Sequence, residues 1–346
     1  MTTSGAGTNG EGWRPGKEHP FEPWDAARAE STGIHQVTTP LPFQLDHVHA
    51  YVIEVEGGYV MIDSGFPSED GRSMLRGEME RRFGGLGGVK AVVVTHYHSD
   101  HIGQAGWLQQ ESGAAVYVHK NDWELVPEVT GEGWSEKPEE FGGDLYRKVP
   151  AETRAEWSKT RKGIRENIVP VEMPTLVDGG EVLEVGGRRL ELVWTPGHTS
   201  GHLCIYDLDY DVLFTGDHIL SRITPHVGTW SSDGSPLHAY EESLALVEKL
   251  NPKVALPAHE AIVEDAAERT REILAHHTKR RDRVLGALGS EARTARVVMP
   301  EVFKNRQLGM HAMLALSETY AHLEALVQDG DVRREDGAGE PLYRVV

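Results

Sequence analysis

The chain has 346 residues, and its 54 Asp plus Glu outnumber 35 Lys plus Arg, which gives a net charge of −19. This charge disfavours nucleic-acid binding over the whole surface, and the single cysteine excludes an internal disulfide framework and an all-cysteine zinc site. No apolar run approaches the roughly 18 residues of a membrane helix, and the start lacks the features of a signal peptide, so we expect a cytoplasmic protein without a membrane partner.

The chain begins with residues 1–30, which are rich in Gly, Thr, Pro and charge and are predicted to form an N-terminal tail. Apolar, β-branched runs and helical patterns then alternate up to residue 119. The predicted strands are Ile34–Thr39, Val48–Val55, Tyr59–Ile62, Lys90–Thr95 and Ala115–His119, and the predicted helices are Glu69–Arg82 and a segment from His101 to about Gln110.

Residues 121–170 interrupt this alternation with a polar segment that is punctuated by Gly and Pro. The segment carries Trp123, Trp134 and Tyr146, and a helix is predicted within it at Glu152–Asn167. We predict a helical insertion that acts as a lid. Its aromatic side chains either bind an apolar acyl or aromatic group of a substrate or pack the insertion onto the main fold.

Alternation resumes after the insertion and ends in a helical C-terminal part. The predicted strands are Glu181–Val185, Arg189–Trp194, His202–Asp207, Val212–Thr215 and Lys253–Leu256, and the predicted helices are Leu237–Leu250, Ile262–Leu288, Thr294–Phe303 and His311–Gln328. This alternation predicts packed sheets that are covered by helices. The polar loops that follow the strands then lie at the edge of the sheets, where we expect the functional site.

Histidine is unusually frequent, at 18 of 346 residues, or about 5%, roughly double ordinary usage. The strongest signal is His96-Tyr-His98-Ser-Asp100-His101, which directly follows the buried strand Lys90–Thr95. Histidines at i and i+2 in an extended loop point the same way, and the two residues past the turn can face a second point. This one motif offers four ligands of the kind that zinc accepts.

Three further segments each place one ligand type just after an apolar strand. These ligands are His198 in PGHTSGH after Leu192–Thr195, Asp217 in GDH after Val212–Thr215, and His259 in PAH after Val254–Leu256. Taken with the first motif, they complete two metal shells.

The sequence resembles a metallo-β-lactamase-fold hydrolase, the superfamily that includes glyoxalase II. The matching pieces occur in the family's order over residues 34–265 and are Asp63-Ser-Gly, HYHSDH, TPGHTSGH, FTGD and LPAH. The resemblance implies a mixed α/β (α+β) fold, a four-layer αββα sandwich, with two metals at one edge. It places the catalytic domain at residues 31–265.

The resemblance also implies a role for each matching residue. His96, His98 and His198 match the ligands of the first metal; Asp100, His101 and His259 match those of the second; Asp217 matches the carboxylate that bridges them. Asp63 matches a residue that orients a ligand histidine from behind. The expected cofactors are two Zn²⁺, although iron or manganese would accept the same ligands.

Departures from the family pattern indicate which branch of the superfamily the sequence resembles. The commonest β-lactamases use a cysteine ligand, but Cys204 lies within a predicted strand, and a bridging Asp217 is more typical of the glyoxalase II and nuclease branches. His259 follows an alanine where a glycine is expected. The basic cluster with which glyoxalase II binds glutathione is not evident, which disfavours a glutathione thioester.

Other histidines receive more ordinary interpretations. His47 and His49 enter a strand and are expected to be structural or on the surface, whereas His202 and His218 flank ligands and either support them or simply pack. His226 follows the bridging aspartate and is a candidate for the substrate pocket.

The expected reaction is hydrolysis of a small-molecule ester, thioester or lactone by a metal-bridging hydroxide, in which Asp100 and Asp217 are the catalytic carboxylates. Metal binding lowers the pKa of bound water from about 15.7 towards 7, so no serine or cysteine nucleophile is needed. The alternatives are a phosphodiesterase, most plausibly an endoribonuclease, and a mononuclear iron dioxygenase of the persulfide-oxidising type.

The C-terminal part, residues 266–346, resembles a small winged-helix domain, because three helices are followed by Asp-Gly-Asp and a hairpin-like tail. It is similar to the appendage of the β-lactamase-like protein 2 branch, which has thioesterase-like and ribonuclease-like members. A basic run comprises Lys279, Arg280, Arg281 and Arg283. Either it contacts phosphates or, as we expect, it is a helix face while the domain packs on the catalytic domain or on a second subunit of a homodimer.

Overall fold

A computed structural model of the chain describes residues 24–42, 45–126, 143–152, 154–155, 166–303, 309–336 and 339–346. The predicted substrate residue Trp134 and most of the predicted helix Glu152–Asn167 lie outside the described residues. Among the described residues, no helix combines the length and apolar character that crossing a bilayer requires.

The first half of the chain forms a six-stranded mixed sheet. Its strands, in both chain and spatial order, are β1 Ile34–Pro40, β2 His47–Val55, β3 Gly58–Ile62, β4 Val89–Val93, β5 Ala115–His119 and β6 Thr175–Val177. The first three pair antiparallel through short connections, and β3 to β6 pair parallel. The parallel strands are joined by crossovers that contain helices, as parallel pairing requires.

The second half forms a five-stranded sheet. Its strands are β7 Val182–Val185, β8 Arg188–Trp194, β9 Leu203–Asp207, β10 Val212–Gly216 and β11 Val254–Pro257, in the spatial order β11-β10-β9-β8-β7. Within this sheet, β10 and β11 pair parallel and the other neighbours pair antiparallel. Because β8 and β10 are both antiparallel to β9, the strands β8, β10 and β11 run in the same direction and end at one edge.

The two sheets pack face to face through alternate residues of their strands. Tyr51 and Ile53 of β2 face Phe214 of β10 across this core, with the rings of Tyr51 and Phe214 5.1 Å apart. Ala50 and Val52 point to the opposite face and belong to a separate cluster. Burial on both faces explains the continuous apolar runs of these strands.

Helices cover the outer face of each sheet, which completes the αββα sandwich. The first sheet is covered by α2 Glu69–Phe83 and α4 Ala105–Ser112, and the second by α7 Pro236–Leu250 and α8 Ala266–Leu288; the short helices between them are α3 Ser99–Ile102, α5 Lys120–Trp123 and α6 Asp144–Lys148. The predicted four-layer αββα architecture is therefore confirmed.

The stretch predicted as an N-terminal tail contains the start of a helix, α1 Ala26–Thr32. The Asp25 side chain caps this helix by accepting from Arg28 N. Trp24 is buried and its indole N–H donates to the Ile34 carbonyl. These contacts tie residues 24–32 to β1 and to the core between the sheets.

The described parts of the insertion have two different neighbours. Helix α5 follows β5 at the edge where the loops converge, whereas α6 packs against the C-terminal part of the chain. Leu145 N donates to the Trp230 carbonyl, and Leu145 and Tyr146 are buried in the C-terminal core.

The C-terminal part consists of α8 together with α9 Ala295–Val302, α10 Gly309–Asp329, β12 Val332–Glu335 and β13 Leu342–Val345. The last two strands pair antiparallel as a hairpin. Val284, Val298 and Tyr320 lie in its shared core. The order of these helices and strands agrees with the elements predicted from the sequence. That this part is a winged-helix domain stays a prediction.

Candidate metal centre

Three histidines on two loops direct ring nitrogens at one point. His96 Nε2 lies 2.9 Å from His98 Nδ1, and His198 Nε2 lies 3.2 Å and 3.1 Å from those two atoms. Nitrogens that bind one ion at 2.0–2.1 Å in tetrahedral geometry are separated by roughly 3.3 Å. These three nitrogens are therefore spaced so that they could hold a metal ion.

A second group lies beside the first. His259 Nε2 is 3.5 Å from Asp100 Oδ2, and His101 Nε2 is 3.8 Å from the same oxygen. These three residues form another set with the spacing of a metal site.

Asp217 spans the two groups. Its Oδ1 atom lies 3.3 Å from His259 Nε2 and 3.6 Å from His101 Nε2, whereas its Oδ2 atom lies 3.5 Å from His198 Nε2. One carboxylate thus contacts donors of both groups, which is the geometry of a bridging ligand.

Several of these atoms are buried without a hydrogen-bond partner in the described part of the chain. They are His101 Nε2, His259 Nε2 and Asp217 Oδ1. Leaving a buried polar atom unsatisfied costs about 1–3 kcal/mol, so three in one place need a common partner. A cation satisfies all three, and His and Asp are ligands that zinc accepts. The residues present therefore fit a metal ion.

The outward-facing nitrogens of the histidines are fixed by acceptors. His101 Nδ1 donates to Asp63 Oδ2 at 2.8 Å, His198 Nδ1 donates to the His226 carbonyl at 2.7 Å, and His259 Nδ1 donates to the His47 carbonyl at 2.8 Å. Each bond fixes the tautomer that leaves Nε2 free to bind a metal.

Comparison with known proteins agrees with this geometry. The profile of the Metallo-beta-lactamase superfamily matches residues 44–259, which is more than half of the chain. The chain belongs to the metallo-β-lactamase superfamily. A second profile, the Metallo-beta-lactamase-like C-terminal domain, matches residues 282–344.

Curated relatives in the superfamily extend over most of the chain. The Beta-lactamase-like protein 2 homolog of Caenorhabditis elegans is 24% identical over 295 residues, which cover 85% of this chain and 83% of that protein. The Atrochrysone carboxyl ACP thioesterase of Aspergillus fumigatus is 24% identical over 264 residues, 75% of this chain but only 65% of its own length.

Solved structures of the superfamily match both the catalytic and the C-terminal parts. A metallo-beta-lactamase family protein from Thermus thermophilus is 28% identical with a TM-score of 0.73, covering 91% of this chain and 99% of its own. A beta-lactamase domain protein from Burkholderia ambifaria is 26% identical with a TM-score of 0.79, covering 91% and 92%.

The two groups of this metallo-β-lactamase centre differ in their electrostatics. Burial, with neighbouring histidines, holds the pKa of His96 and His98 well below the usual range, so these rings are neutral and ready to bind a cation. Burial also opposes the charged form of His101, but Asp63, Asp100 and Asp217 outweigh it and raise the pKa of His101 to about 10. The carboxylates around the second group thus favour a positive charge there, which a bound cation would supply in place of the proton on His101.

Asp122 is a part of this site that the sequence did not reveal. Its carboxylate accepts hydrogen bonds from Tyr97 N at 3.0 Å, Thr199 Oγ1 at 2.7 Å and Gly201 N at 2.5 Å. It therefore ties the HYHSDH loop to the PGHTSGH loop. Burial raises the pKa of Asp122 to about 6, against the lowering effect of its donors. An available signal was its position, just after β5 at the edge where the ligands lie.

His47 and His49 hold the loop that carries His259. Besides the bond from His259 to the His47 carbonyl, Glu260 N donates to His47 Nε2, and His49 Nε2 lies 2.9 Å from the Glu260 carbonyl oxygen. Their positions agree with the structural role expected for them.

The three candidates for substrate binding that the structure describes have different surroundings. His226 is 27% exposed at its side chain and lies beside His198. Trp123 is partly buried against the core of the first sheet. Tyr146 is 2% exposed inside the C-terminal core, which leaves almost no surface for a ligand.

Proposed function

We propose that the chain is a metal-dependent hydrolase that holds two ions, most simply Zn²⁺, and cleaves a small-molecule ester, thioester or lactone. The observation that carries the proposal is the convergence of seven donor side chains with three otherwise unpartnered buried atoms. In this proposal His96, His98 and His198 hold one ion, Asp100, His101 and His259 hold the other, and Asp217 bridges them.

When bound, two such ions lower the pKa of a bound water and polarise the bond to be cleaved. The chain's own residues supply the geometry. Asp63 Oδ1 and Oδ2 accept from the Thr95 N–H and hydroxyl, which fixes the carboxylate that orients His101. Asp100 is 21% exposed at its side chain, so its carboxylate can accept a hydrogen bond from an incoming water and orient it.

Hydrolysis of an acyl compound is favoured over cleavage of a phosphodiester. The A. fumigatus relative is named as a thioesterase, which supports an acyl substrate by analogy. The basic run that would contact phosphates is partly neutralised, because Arg280 pairs with Glu318, and Arg281 pairs with Glu241 at 2.8 Å. A mononuclear dioxygenase binds one metal ion, so the group of Asp100, His101 and His259 would have no ion to bind.

A metal count combined with a substrate panel tests the proposal. Purified protein should hold two equivalents of zinc by mass spectrometry and hydrolyse activated thioesters or lactones. His259→Ala should lose about one equivalent and lose activity at least 100-fold. A matched control is His35→Ala, since His35 pairs with Glu54 at 2.8 Å outside the centre and its loss should leave the metal in place. An inert protein with two metals, or a protein with one iron, would contradict the proposal.

A further inference from the structure

The C-terminal helix α10 contacts His226, a residue that is hydrogen-bonded to the candidate metal ligand His198. The backbone carbonyl of His226 accepts from His198 Nδ1 at 2.7 Å. The position of this peptide therefore sets the rotation of the His198 ring and hence the direction of Nε2.

The side chain of His226 lies between two consecutive residues of α10. Ser317 Oγ lies 3.2 Å from His226 Nε2, and Glu318 Oε2 lies 3.7 Å from His226 Nδ1. The Ser317 hydroxyl donates to the Leu314 carbonyl at 3.0 Å, so its oxygen is available to accept from Nε2. Helix α10 thus contacts Nε2 within hydrogen-bond distance, whereas Nδ1 lies within ion-pair distance of Glu318 and has no hydrogen-bond partner among the described residues.

The loop after His226 is also fixed on α10. Thr229 N donates to the Ser317 carbonyl at 3.1 Å. A Cβ atom on Gly228 would lie 2.4 Å from His226 Nε2 and 2.5 Å from Ser317 Oγ, so a larger residue here would displace the His226 ring or the Ser317 side chain. The loop and the helix are therefore in close contact at this point.

Glu318 is itself held in place from the opposite side. It is 4% exposed and pairs with Arg280 of α8, whose guanidinium lies 4.4 Å from the ring centre of Phe303. Burial opposes ionisation, but the contacts with His226 and Arg280 prevail and hold the pKa of Glu318 at about 2. The ion pair with Arg280 therefore holds the Glu318 carboxylate beside His226.

We propose that Glu318 is a positioning residue for the metal centre, which acts through His226 on the orientation of His198. The C-terminal part of the chain then completes the catalytic site instead of only packing beside it. This inference rests on the proposed metal-binding function, because His198 matters only as a ligand.

The test compares Glu318→Gln with Glu324→Gln. Glu324 lies on the same helix, is 3% exposed and pairs with Arg334 at 3.1 Å and the Tyr343 hydroxyl at 2.6 Å, but faces the C-terminal hairpin. Each full-length variant is loaded with Co²⁺, and the visible spectrum, the Co²⁺ affinity in competition with a chelator, kcat and KM are measured. Unfolding is followed in parallel.

Glu318→Gln should alter the Co²⁺ spectrum, weaken Co²⁺ binding about 10–100-fold and lower kcat more than it raises KM. Glu324→Gln should leave the spectrum and affinity as in the parent protein.

Ser317→Ala removes only a hydroxyl and should shift the Co²⁺ spectrum in the same direction as Glu318→Gln. This second variant still tests the contact between α10 and His226 if Glu318→Gln does not fold. Parent-like spectra and affinities in the Ser317 variant and in any folded Glu318 variant would overturn the positioning role alone. A parent protein that binds no Co²⁺ would overturn the metal site as well.

Discussion

In three of the candidate ligand histidines, the two ring nitrogens have different roles. In His101, His198 and His259 one ring nitrogen faces the centre, while the other donates to a carboxylate or carbonyl. If such an acceptor is lost, the ligand histidine remains, but its tautomer and the orientation of its ring are no longer fixed. Residues around the ligands can therefore be as necessary as the ligands themselves.

The buried carboxylate of Glu318 predicts a dependence of stability on pH. Its folded pKa of about 2 lies below the ordinary value of 4.5, so the ionised form stabilises the fold above pH 4.5, and this contribution is lost as the pH falls towards 2. The free energy of unfolding of the parent should exceed that of Glu318→Gln by up to about 3 kcal/mol at pH 6, and less at pH 3. Chemical denaturation of both metal-stripped proteins at each pH measures the difference.

Glu324 supplies a control of opposite sign. Burial raises the pKa of Glu324, although the Tyr343 hydroxyl and Arg334 oppose the shift. Its ionisation therefore disfavours the fold, so the parent should lose stability relative to Glu324→Gln as the pH rises above 4.5. The same trend for both variants would contradict these electrostatic assignments.

Cys204 predicts an unreactive thiol. It is fully buried in β9, and burial raises the pKa of the Cys204 thiol to about 12 despite a hydrogen bond from Thr195. Thiolates, rather than thiols, react with disulfide reagents. At pH 8 an aromatic disulfide should label no cysteine in the folded protein and one per chain in guanidinium. Rapid labelling of the folded protein would show that β9 opens readily.

At residue level, the sequence was most informative where one short motif holds several candidate donors. The HYHSDH spacing predicts local geometry, and the structure brings His96, His98 and His101 to one edge of the sheets. Asp122 escaped prediction because its role depends on Thr199 and Gly201, more than 70 positions away in the chain. A contact of this kind exists only after the fold has formed.

At the scale of elements, the two ligand loops depend on close backbone contact. A Cβ atom on Gly201 would lie 2.6 Å from Asp122 N and 2.7 Å from Asp122 Oδ1. Gly201→Ala should therefore shift the PGHTSGH loop away from α5, destabilise the fold by about 1–3 kcal/mol and lower metal content and activity at least tenfold. Calorimetry and metal analysis measure the two effects.

The matched substitution is Gly77→Ala in the exposed middle of α2, where no atom lies within 4 Å of the added Cβ. It should stabilise the protein by about 0.4–1 kcal/mol and leave activity unchanged. Full metal content in the Gly201 variant would show that the loop tolerates the shift.

Most elements were predictable because their residues are patterned for burial. The run Lys90–Thr95 predicts a buried strand, and β4 covers Val89–Val93. Strand β6 was missed because it has only three residues, two of them exposed. Helix α1 was missed because seven residues carry little periodicity, and its stability comes from Trp24 and the Asp25 cap.

At the scale of the whole molecule, bound metal should couple the two sheets. The ligands come from loops that follow strands of both sheets, so an ion binds the folded chain and not the separated halves. An ion at 100 times its dissociation constant adds about 2.7 kcal/mol to the free energy of unfolding. Stripping the metal with a chelator should therefore lower the unfolding temperature by several degrees. The shift should be smaller for His259→Ala, which keeps about one ion, and an equal shift would show that the ion bound by His259 does not contribute to the coupling.

The distribution of ligands over both halves of the chain also has a kinetic consequence. His96 follows the fourth strand and His259 follows the last strand of the sandwich, so the centre closes one of the longest loops in the catalytic part. Such distant contacts form slowly, because the entropy of loop closure must be overcome before the contact stabilises the fold. During refolding, the visible absorption of Co²⁺ would thus report the final docking of the two sheets, after the strands of each sheet have paired.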